Sequence, residues 1–308
     1  ISDAMADDDY TPSGSGGGKE SVAVYARFRP QNVKEESIGG EIRVNFLSDE
    51  SCTCQNEDGN DNTFTFDRIF KPDSEQKDVF DTTTRPILED MFAGYYATVF
   101  AYGQTGSGKT WTMEGKDDSK GLIPRSVDYI FQRVAANSKN TDFTLAASYV
   151  EIYLERIRDL LDRTKMKTNL DVRVDLQRGV YVDGATEVVV ASKEELNALL
   201  TQGSNRRHVS ATGMNEESSR SHAIMMLTCS QKSKTDGTIK TGKIFMVDLA
   251  GSEMVGKTGV QDKRLEEAKH INKSLSALGN VIKALTDPKA TFVPYRDSKL
   301  TRMLQDSH

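Results

Sequence analysis

Short stretches in which apolar residues alternate with polar ones, or follow one another, predict the β-strands of this chain. Residues 21–28 (SVAVYARF) alternate, and residues 97–101 (ATVFA) form a short apolar run. Two longer stretches, 142–153 (DFTLAASYVEIY) and 243–251 (KIFMVDLAG), also predict strands. The last stretch is apolar almost throughout up to Asp248, which is typical of a strand covered on both faces of its sheet.

Apolar residues at intervals of three or four positions predict the longest helix. Positions 265, 268, 271, 275, 278, 282 and 285 keep this spacing. Residues 74–92 predict a helix interrupted at Pro86, and YRDSKLTRML predicts a final helix capped at Asp297 or Ser298. Because strands alternate with helices, we expect an α/β fold in which helices cover both faces of a mostly parallel sheet.

Length and composition favour one large soluble domain. The chain has 308 residues, of which 37% are hydrophobic, and this is enough to bury a large core. No apolar run approaches the roughly 18 residues that a membrane helix needs, so we expect no direct membrane contact. Residues 1–20 are acidic and then rich in Gly and Ser, which predicts a disordered leader before a domain spanning 21–308.

The charge of the chain is distributed unevenly. Lys and Arg number 40 and Asp and Glu number 46, and the net charge of −6 argues against general nucleic-acid binding. Residues 257–308, however, contain ten basic and six acidic residues, a net charge of +4 that leaves −10 for the rest. A basic end on an acidic protein predicts an acidic partner contacted at one face.

Residues 103–110 (GQTGSGKT) match the phosphate-binding signature G-x-x-x-x-G-K-[ST] in full. The match follows an apolar strand and precedes a segment that can be helical, which is the context that the motif requires. Glycines let backbone N–H groups turn inward around phosphates, Lys109 adds a charge near the β- and γ-phosphates, and the Thr110 hydroxyl reaches Mg²⁺. The predicted phosphate ligands are Gln104, Thr105, Gly106, Ser107, Gly108, Lys109 and Thr110.

A second motif, DLAGSE, leaves the end of the apolar strand 243–251. Asp248 can hold a Mg²⁺-bound water there, and Gly251 offers its N–H to a γ-phosphate. A D-x-x-G pattern alone is a weak signal. It becomes a strong one when it follows a hydrophobic strand in a chain that also has a phosphate-binding loop.

The segment NEESSRSH places three serines and one arginine just before the apolar stretch AIMMLTCS. One interpretation is a solvated loop, since Ser and Asn are common there. The other is a γ-phosphate sensor, because phosphoryl transfer depends on groups that position the phosphate, the metal's water and the attacking water. Ser218, Ser219 and Ser221 are suitable hydroxyls, and Arg220 can form an ion pair with Glu253.

The sequence favours adenine over guanine as the base. A guanine-reading N-K-x-D element is not matched, since its nearest candidate, NKSL at 272–275, has no aspartate. Arg27 and Pro30 of the RFRP motif end the first strand with a cation and a flat ring, which could flank an adenine. Alternatively, Pro30 only ends the strand, and RFRP alone does not separate the two interpretations.

Four motifs together, RFRP, GQTGSGKT, NEESSRSH and DLAGSE, resemble the nucleotide site of the kinesin motor domain. The resemblance spans about 21–307 and includes SYVEIYLERIRDLL, INKSLSALGNVIKAL and VPYRDSKLTRMLQDS. The last two segments, with GVYVDG, most resemble conventional kinesins with amino-terminal motors. The resemblance implies a P-loop NTPase with an eight-stranded sheet between helices, ATP or ADP with Mg²⁺ as ligands, and a microtubule as track.

The resemblance also implies roles for individual residues. Arg27 and Pro30 would border the base. Ser219 and Ser221 would belong to the first switch segment, and Asp248, Gly251 and Glu253 to the second. Mg²⁺ would be held by Thr110, by Ser221 and, through a water, by Asp248. Microtubule-binding residues would be Arg178, Lys257, Lys273, Arg296, Lys299 and Arg302. Each of these basic residues could instead belong to a solvated helix face.

The chain departs from the family pattern at several positions. Trp111 stands where kinesins usually have a smaller aromatic residue or histidine beside the base, and it either widens the stacking wall or simply packs. Met254 and Asp183 replace common basic residues, which could weaken binding to the track. The sequence stops at His308, where kinesins continue into a strand, a last helix and the neck linker, so the motor domain looks truncated.

We therefore expect microtubule-stimulated ATP hydrolysis that drives movement along microtubules towards the plus end. The alternative is a microtubule-binding regulator that uses the nucleotide as a timer and does not walk. A small-molecule kinase is not favoured, because it predicts no basic carboxy-terminal face. We expect a cytoplasmic, cytoskeletal location, a monomeric fragment, and a homodimer with a coiled coil for the full-length protein.

Overall fold

The computed structural model describes residues 22–116, 118–164, 167–175, 179–211, 217–253 and 262–307. Its strands are β1 (Tyr25–Arg27), β2 (Val44–Phe46), β3 (Ser51–Gln55), β4 (Asp61–Thr65), β5 (Arg68–Phe70), β6 (Tyr96–Ala101), β7 (Gly115–Lys116), β8 (Ser119–Lys120), β9 (Thr141–Tyr153), β10 (Arg156–Asp159), β11 (Thr168–Asp175), β12 (Gly179–Asp183), β13 (Val188–Val190), β14 (His222–Ser233) and β15 (Ile239–Asp248). Its helices are α1 (Val33–Ser37), α2 (Gln76–Thr83), α3 (Arg85–Ala93), α4 (Lys109–Met113), α5 (Leu122–Asn137), α6 (Lys193–Ala211), α7 (Asp262–Thr286) and α8 (Lys299–Met303). Short 3-10 turns cover Glu217–Arg220, Tyr295–Asp297 and Gln305–Ser307.

An eight-stranded sheet forms the centre of the fold. Its order is β12-β11-β10-β9-β14-β15-β6, and β13 also pairs with β9. The middle strand β14 fixes the register, because Met225 lies opposite Tyr149 of β9 on one side and Met246 of β15 on the other. Smaller sheets pair β1 with β5, join β2, β3 and β4, and pair β7 with β8. The number of strands equals the eight that the family resemblance implied, but β1 and β5 pair outside this sheet.

The central sheet is mixed, which corrects the expectation of a mostly parallel one. Strands β15 and β6 pair in parallel, with Val247 opposite Phe100, whereas the other pairings in this sheet are antiparallel. Two hairpins explain part of the difference: β9 turns into β10 at Leu154 and Glu155, and β14 turns back into β15 after Ser233. Short connections of this kind join antiparallel strands, because a parallel pair needs a long crossover.

Both faces of β14 and β15 are largely buried, as the apolar run of β15 predicted. Met225 and Met246 belong to a core that includes side chains of α2 to α6. Ile224 and Val247 belong to a second core, on the side of α7 and α8. Successive residues of a strand point to opposite faces of its sheet, so β14 and β15 supply both cores by alternate positions.

The helix boundaries follow the predicted signals. The helix predicted to be interrupted at Pro86 is two helices, α2 and α3, which meet at Thr84. The proline lies in the first turn of α3, where its missing N–H costs no hydrogen bond. Helix α7 covers the predicted 265–285 span, and Ser298 caps α8 by accepting the Thr301 N–H. No helix in the described ranges is long and apolar enough to span a membrane.

Candidate nucleotide site

The phosphate-binding loop connects the end of β6 to the start of α4. Gly103, Gly106 and Gly108 have φ angles of 153°, 77° and 97°, which residues with a Cβ rarely adopt. Among the described residues, nothing lies within 4 Å of the place where a Cβ would sit at Gly106 or Gly108. The loop therefore has positive φ angles and open space that suit a bound phosphate.

Lys109 lies at the start of α4 and points back over the loop. Its Nζ donates hydrogen bonds to the backbone oxygens of Gly103 at 2.9 Å and Gln104 at 3.0 Å. Burial lowers the pKa of Lys109, although the carboxylates of Asp248 and Glu253 act in the opposite direction. The loop thus holds its one lysine where a phosphate group would meet a concentrated positive charge.

Thr110, Asp248 and Arg207 form a buried polar cluster behind the loop. Asp248 Oδ2 accepts hydrogen bonds from Thr110 Oγ1 at 2.8 Å and from Arg207 Nη1 at 2.8 Å. Arg207 Nη2 also donates to the backbone oxygen of Ser221 at 3.1 Å. Burial opposes the charge on Arg207, but the nearby Asp248 carboxylate contributes to a raised pKa overall. One arginine therefore connects the first switch segment to the second.

Sequence reasoning missed Arg207, although a signal was present. Leu196, Leu199, Gly203 and Arg207 follow one another at intervals of three or four along α6, so they share one helix face. The side chains of Arg207 and Asp248 are only 3% and 4% exposed. A charge on the buried face of a helix needs a buried partner of opposite sign, and this pattern could have drawn attention to Arg207.

The oxygen atoms around Asp248 suit a small divalent cation. Asp248 Oδ1 and Ser221 Oγ are buried and have no hydrogen-bond partner among the described residues. Thr110 Oγ1 lies in the same cluster, 2.8 Å from Asp248 Oδ2. Carboxylate and hydroxyl oxygens are ligands that Mg²⁺ prefers. In the described ranges no group of three or more His, Cys, Asp or Glu forms a metal site, so phosphate oxygens and water would have to complete the coordination.

Both switch segments are held close to the loop and to each other. Glu253 accepts hydrogen bonds from the Thr105 N–H, at 2.8 Å, and from the Thr105 hydroxyl. The Gly251 N–H donates to the backbone oxygen of Ser219 at 2.8 Å. A Cβ at Gly251 would meet the side-chain oxygens of Thr105 and Glu253, so a larger residue there would have to displace their contact. These contacts give Glu253 the partner Thr105 in place of the predicted Arg220.

The predicted base site lines the same cleft as the loop. Pro30, Trp111 and Lys109 all face this cleft, and Trp111 is 40% exposed, so it is not a core residue. Arg27 also lines the cleft, but its Nη1 donates to Gln76 Oε1 at 2.7 Å. Gln76 Nε2 donates in turn to the backbone oxygen of Trp111 at 2.7 Å. The buried Gln76, which no motif singled out, therefore connects the two residues predicted beside the base.

Arg29, the second arginine of the RFRP motif, holds the loop from outside. Its Nε donates to the backbone oxygen of Gly106 at 2.9 Å, and its two terminal nitrogens contact Glu35 at 2.7 Å and 2.5 Å. Glu35 also completes a capping box with Asn32 at the start of α1. The hydrogen bond from Arg29 lowers the pKa of Glu35 to about 2.

Comparison with known proteins decides the family. Residues 27–308 match the family described as kinesin motor domain. The chain belongs to this family. The kinesin resemblance of the four sequence motifs is thereby confirmed, and with it the P-loop NTPase fold class.

Kinesin heavy chains are prominent among the relatives of this motor domain. The chain is 50% identical over 291 residues to the heavy chain of Neurospora crassa, and 47% identical over 292 and 290 residues to those of Drosophila melanogaster and Homo sapiens (isoform 5A). The matches cover 93%, 94% and 93% of this chain but only 31%, 30% and 27% of the relatives. A solved structure of a fast kinesin has a TM-score of 0.86 at 50% identity, covering 93% of this chain and 81% of that one.

The residues that the kinesin resemblance assigned to the microtubule differ in exposure and in the contacts that they make within the protein. Lys273 on α7 and Arg296 just before α8 are exposed. Lys299 Nζ instead donates to a backbone oxygen of β11 at 2.8 Å and to Asp171 at 3.3 Å, and its side chain is 24% exposed. The sequence presented these basic residues as equivalent, whereas Lys299 is bound to the protein itself.

The remaining assigned residues are of two kinds. Arg302 is partly buried and donates a hydrogen bond to Gln305. Arg178 and Lys257 lie outside the described residues. So do Met254, which replaces a common basic residue, and the side chain of Ser218, a predicted phosphate-sensing hydroxyl.

Proposed function

We propose that this motor domain hydrolyses ATP and uses the reaction to move along microtubules, towards the plus end. The observation that carries the proposal is the buried cluster of Thr110, Asp248 and Arg207, which joins the phosphate-binding loop to both switch segments. Such a cluster can pass a change at the phosphates to distant elements. Support also comes from the heavy-chain relatives and from the fast kinesin, whose structure was described for its ATPase mechanism and microtubule interactions.

Mg²⁺ is the proposed metal. We assign Thr110 and Ser221 as direct hydroxyl ligands and Asp248 as a ligand through water, in keeping with the two buried oxygens that have no partner in the described residues. When bound, the metal would offset the negative charge of the phosphates. Lys109 would share this task by exchanging its loop oxygens for phosphate oxygens.

Hydrolysis in this scheme rests on positioning, without a protein nucleophile. The proposed ligands of the γ-phosphate and the attacking water are Ser218, Ser219, Arg220, Ser221, Gly251 and Glu253. Because the Gly251 N–H is bonded to Ser219, its contact with a γ-phosphate requires that bond to open. The presence of the γ-phosphate would therefore change how the two switch segments contact each other.

The proposed nucleotide is ATP rather than GTP. Pro30 and the Trp111 ring supply flat apolar surfaces in the cleft. Arg27 borders them and is held by its hydrogen bond to Gln76, which also contacts the backbone of Trp111. The phosphates would lie along the loop residues Gln104, Thr105, Gly106, Ser107, Gly108, Lys109 and Thr110.

The proposed track face is the basic end of the chain. Lys273 and Arg296 are its exposed members, and Arg178, Lys257, Lys299 and Arg302 complete the proposed set. The surface of tubulin is strongly acidic, so this face would approach it while the remaining acidic surface is held away. A cytoskeletal location, a homodimeric full-length protein with a coiled coil, and no contact with nucleic acid or membrane belong to the same proposal.

ATPase assays of the full chain with and without microtubules test the proposal, together with microtubule gliding. We expect stimulation by microtubules and plus-end-directed gliding. Stimulation without gliding would favour the nucleotide-timed regulator, and the lack of stimulation would contradict both. Trp111 is the single tryptophan of the chain and lines the cleft, so its fluorescence should change on titration with ADP and much less with GDP.

A further inference from the structure

His222 lies completely inside the protein, between the second switch segment and α7. Its Nδ1 accepts the backbone N–H of Ala250 at 3.0 Å. Its Nε2 lies 2.7 Å from Ser274 Oγ, and Ser274 Oγ donates to the backbone oxygen of Ile271 at 2.8 Å. His222 and Ser274 are each 2% exposed. A short chain of hydrogen bonds thus leads from Ala250 to the backbone of α7.

The hydrogens of this chain can be assigned without ambiguity. Ala250 offers an N–H, so Nδ1 of His222 must be the unprotonated nitrogen. A neutral imidazole then carries its hydrogen on Nε2 and donates it to Ser274. A charged ring would carry hydrogens on both nitrogens and could not accept the Ala250 N–H, so the hydrogen bond itself requires the neutral form. The chain of hydrogen bonds therefore runs in one direction, from the Ala250 N–H to the backbone of α7, and the tautomer of His222 is fixed.

The other end of the chain lies next to the proposed phosphate contact. Ala250 and Gly251 are consecutive, and the N–H of each donates to the segment that contains the first switch: Ala250 to His222, and Gly251 to Ser219. If a γ-phosphate takes the Gly251 N–H, the bond to Ser219 opens and the neighbouring bond from Ala250 to His222 remains. A movement of the peptide between Ala250 and Gly251 would then be transmitted by the imidazole ring to Ser274.

The chain of hydrogen bonds ends on helix α7, beside the proposed track face. Leu275 and Leu278 of this helix pack into the second core. Apolar contacts have no fixed direction, so they allow the helix small sliding movements. The hydrogen bond to Ser274 is directional and ties one point of the helix. The residue immediately before it, Lys273, is exposed.

We propose that His222 is a positioning residue that couples the peptide at Ala250 to α7, so that nucleotide state sets the position of Lys273 relative to the microtubule. The proposal rests on the proposed function, because it assumes that the γ-phosphate and the track are the two ligands being coupled. It predicts that breaking this chain of hydrogen bonds uncouples ATP hydrolysis from microtubule binding, while each of the two activities remains present.

Two single variants and their combination break the chain at different points. His222→Asn keeps an acceptor for Ala250, at the place of Nδ1, but has no donor that reaches Ser274. Ser274→Ala removes the acceptor on α7 with little change in volume. Ser276→Ala is the matched control, since Ser276 is on the same helix but exposed.

We expect His222→Asn and Ser274→Ala to reduce microtubule-stimulated kcat at least about fivefold, which corresponds to roughly 1 kcal/mol. ATPase activity without microtubules, and ADP affinity measured by Trp111 fluorescence, should stay within about twofold, as should every property of Ser276→Ala. The double variant should be no worse than the poorer single variant, because both act on one chain. Full stimulation in Ser274→Ala, or independent losses that multiply in the double variant, would overturn the proposal.

Hydrogen exchange of α7 gives a readout that does not need microtubules. In the native chain, replacing ADP by a non-hydrolysable ATP analogue should change amide exchange around residues 270–275, and this change should be lost in Ser274→Ala. If the native chain lacks microtubule stimulation but shows the exchange response, the proposed function fails and the coupling stands. If stimulation is present and the response persists in Ser274→Ala, the coupling is wrong and the function stands.

Discussion

The buried cluster around Asp248 and the basic surface of α7 and α8 use the same kinds of charged residue in opposite ways. Arg207 and Asp248 are almost completely buried, and each is held by short hydrogen bonds. Lys273 and Arg296 are exposed. Burying an ion pair costs desolvation free energy, and removing one partner of a buried pair costs still more. An exposed cation is screened by salt and stabilises the fold little. We therefore expect the first region to control stability and the second to control association.

Removal of Arg207 should have the largest effect on the fold. Arg207→Ala leaves the Asp248 carboxylate buried without its cation, and breaking such a pair costs about 3–5 kcal/mol in the free energy of unfolding. Urea unfolding monitored by circular dichroism measures this loss. The matched control is Lys77→Ala, because Lys77 and Asp81 are 2.6 Å apart but 65% and 33% exposed. That change should cost less than about 0.5 kcal/mol. Similar losses in both variants would contradict the contrast between buried and exposed pairs.

Removal of the Glu253 carboxylate should act on turnover more than on binding. Glu253→Ala loses both hydrogen bonds from Thr105, and the loss of one charge-assisted contact of about 1.5–3 kcal/mol slows ATP turnover at least about tenfold. ATP affinity, followed through Trp111, should be retained. Glu253→Gln keeps an oxygen for the Thr105 N–H and should recover part of the rate. Unchanged turnover in Glu253→Ala would show that this contact has no part in closing the site.

Reversal of the exposed cations should weaken track binding and leave nucleotide binding intact. Lys273→Glu with Arg296→Glu replaces two attractions to an acidic surface by two repulsions, and we expect microtubule affinity to fall at least about tenfold at physiological ionic strength. Cosedimentation over a salt series measures the effect, since native binding should weaken as the Debye length falls below about 8 Å. Binding that is insensitive to salt, or unchanged in the variant, would place the track on another face.

What the sequence could predict has a local origin. The phosphate-binding loop, the break at Pro86 and the cap at Ser298 depend on residues a few positions apart, so a short stretch of sequence contains the whole signal. Strand pairing is different, because the antiparallel order of the sheet depends on which distant strands meet. The same holds for the buried partner of Arg207, 41 residues away. A motif identifies a residue as reactive, but the fold decides which atom it touches.

Lys299 should give the smallest effect, and it tests how exposure divides the basic residues. The sequence groups it with Arg296, but its Nζ is bound to a β11 backbone oxygen and to Asp171, so the ammonium is partly neutralised before any partner arrives. We expect Lys299→Met to lower microtubule affinity less than about threefold, while Arg296→Met, which removes an exposed charge of the same sign, lowers it more. Both methionine variants keep an apolar stem of similar length, so cosedimentation compares the two charges directly. Equal losses would mean that Lys299 leaves Asp171 on the microtubule, and that exposure in the free protein does not identify the residues that bind the track.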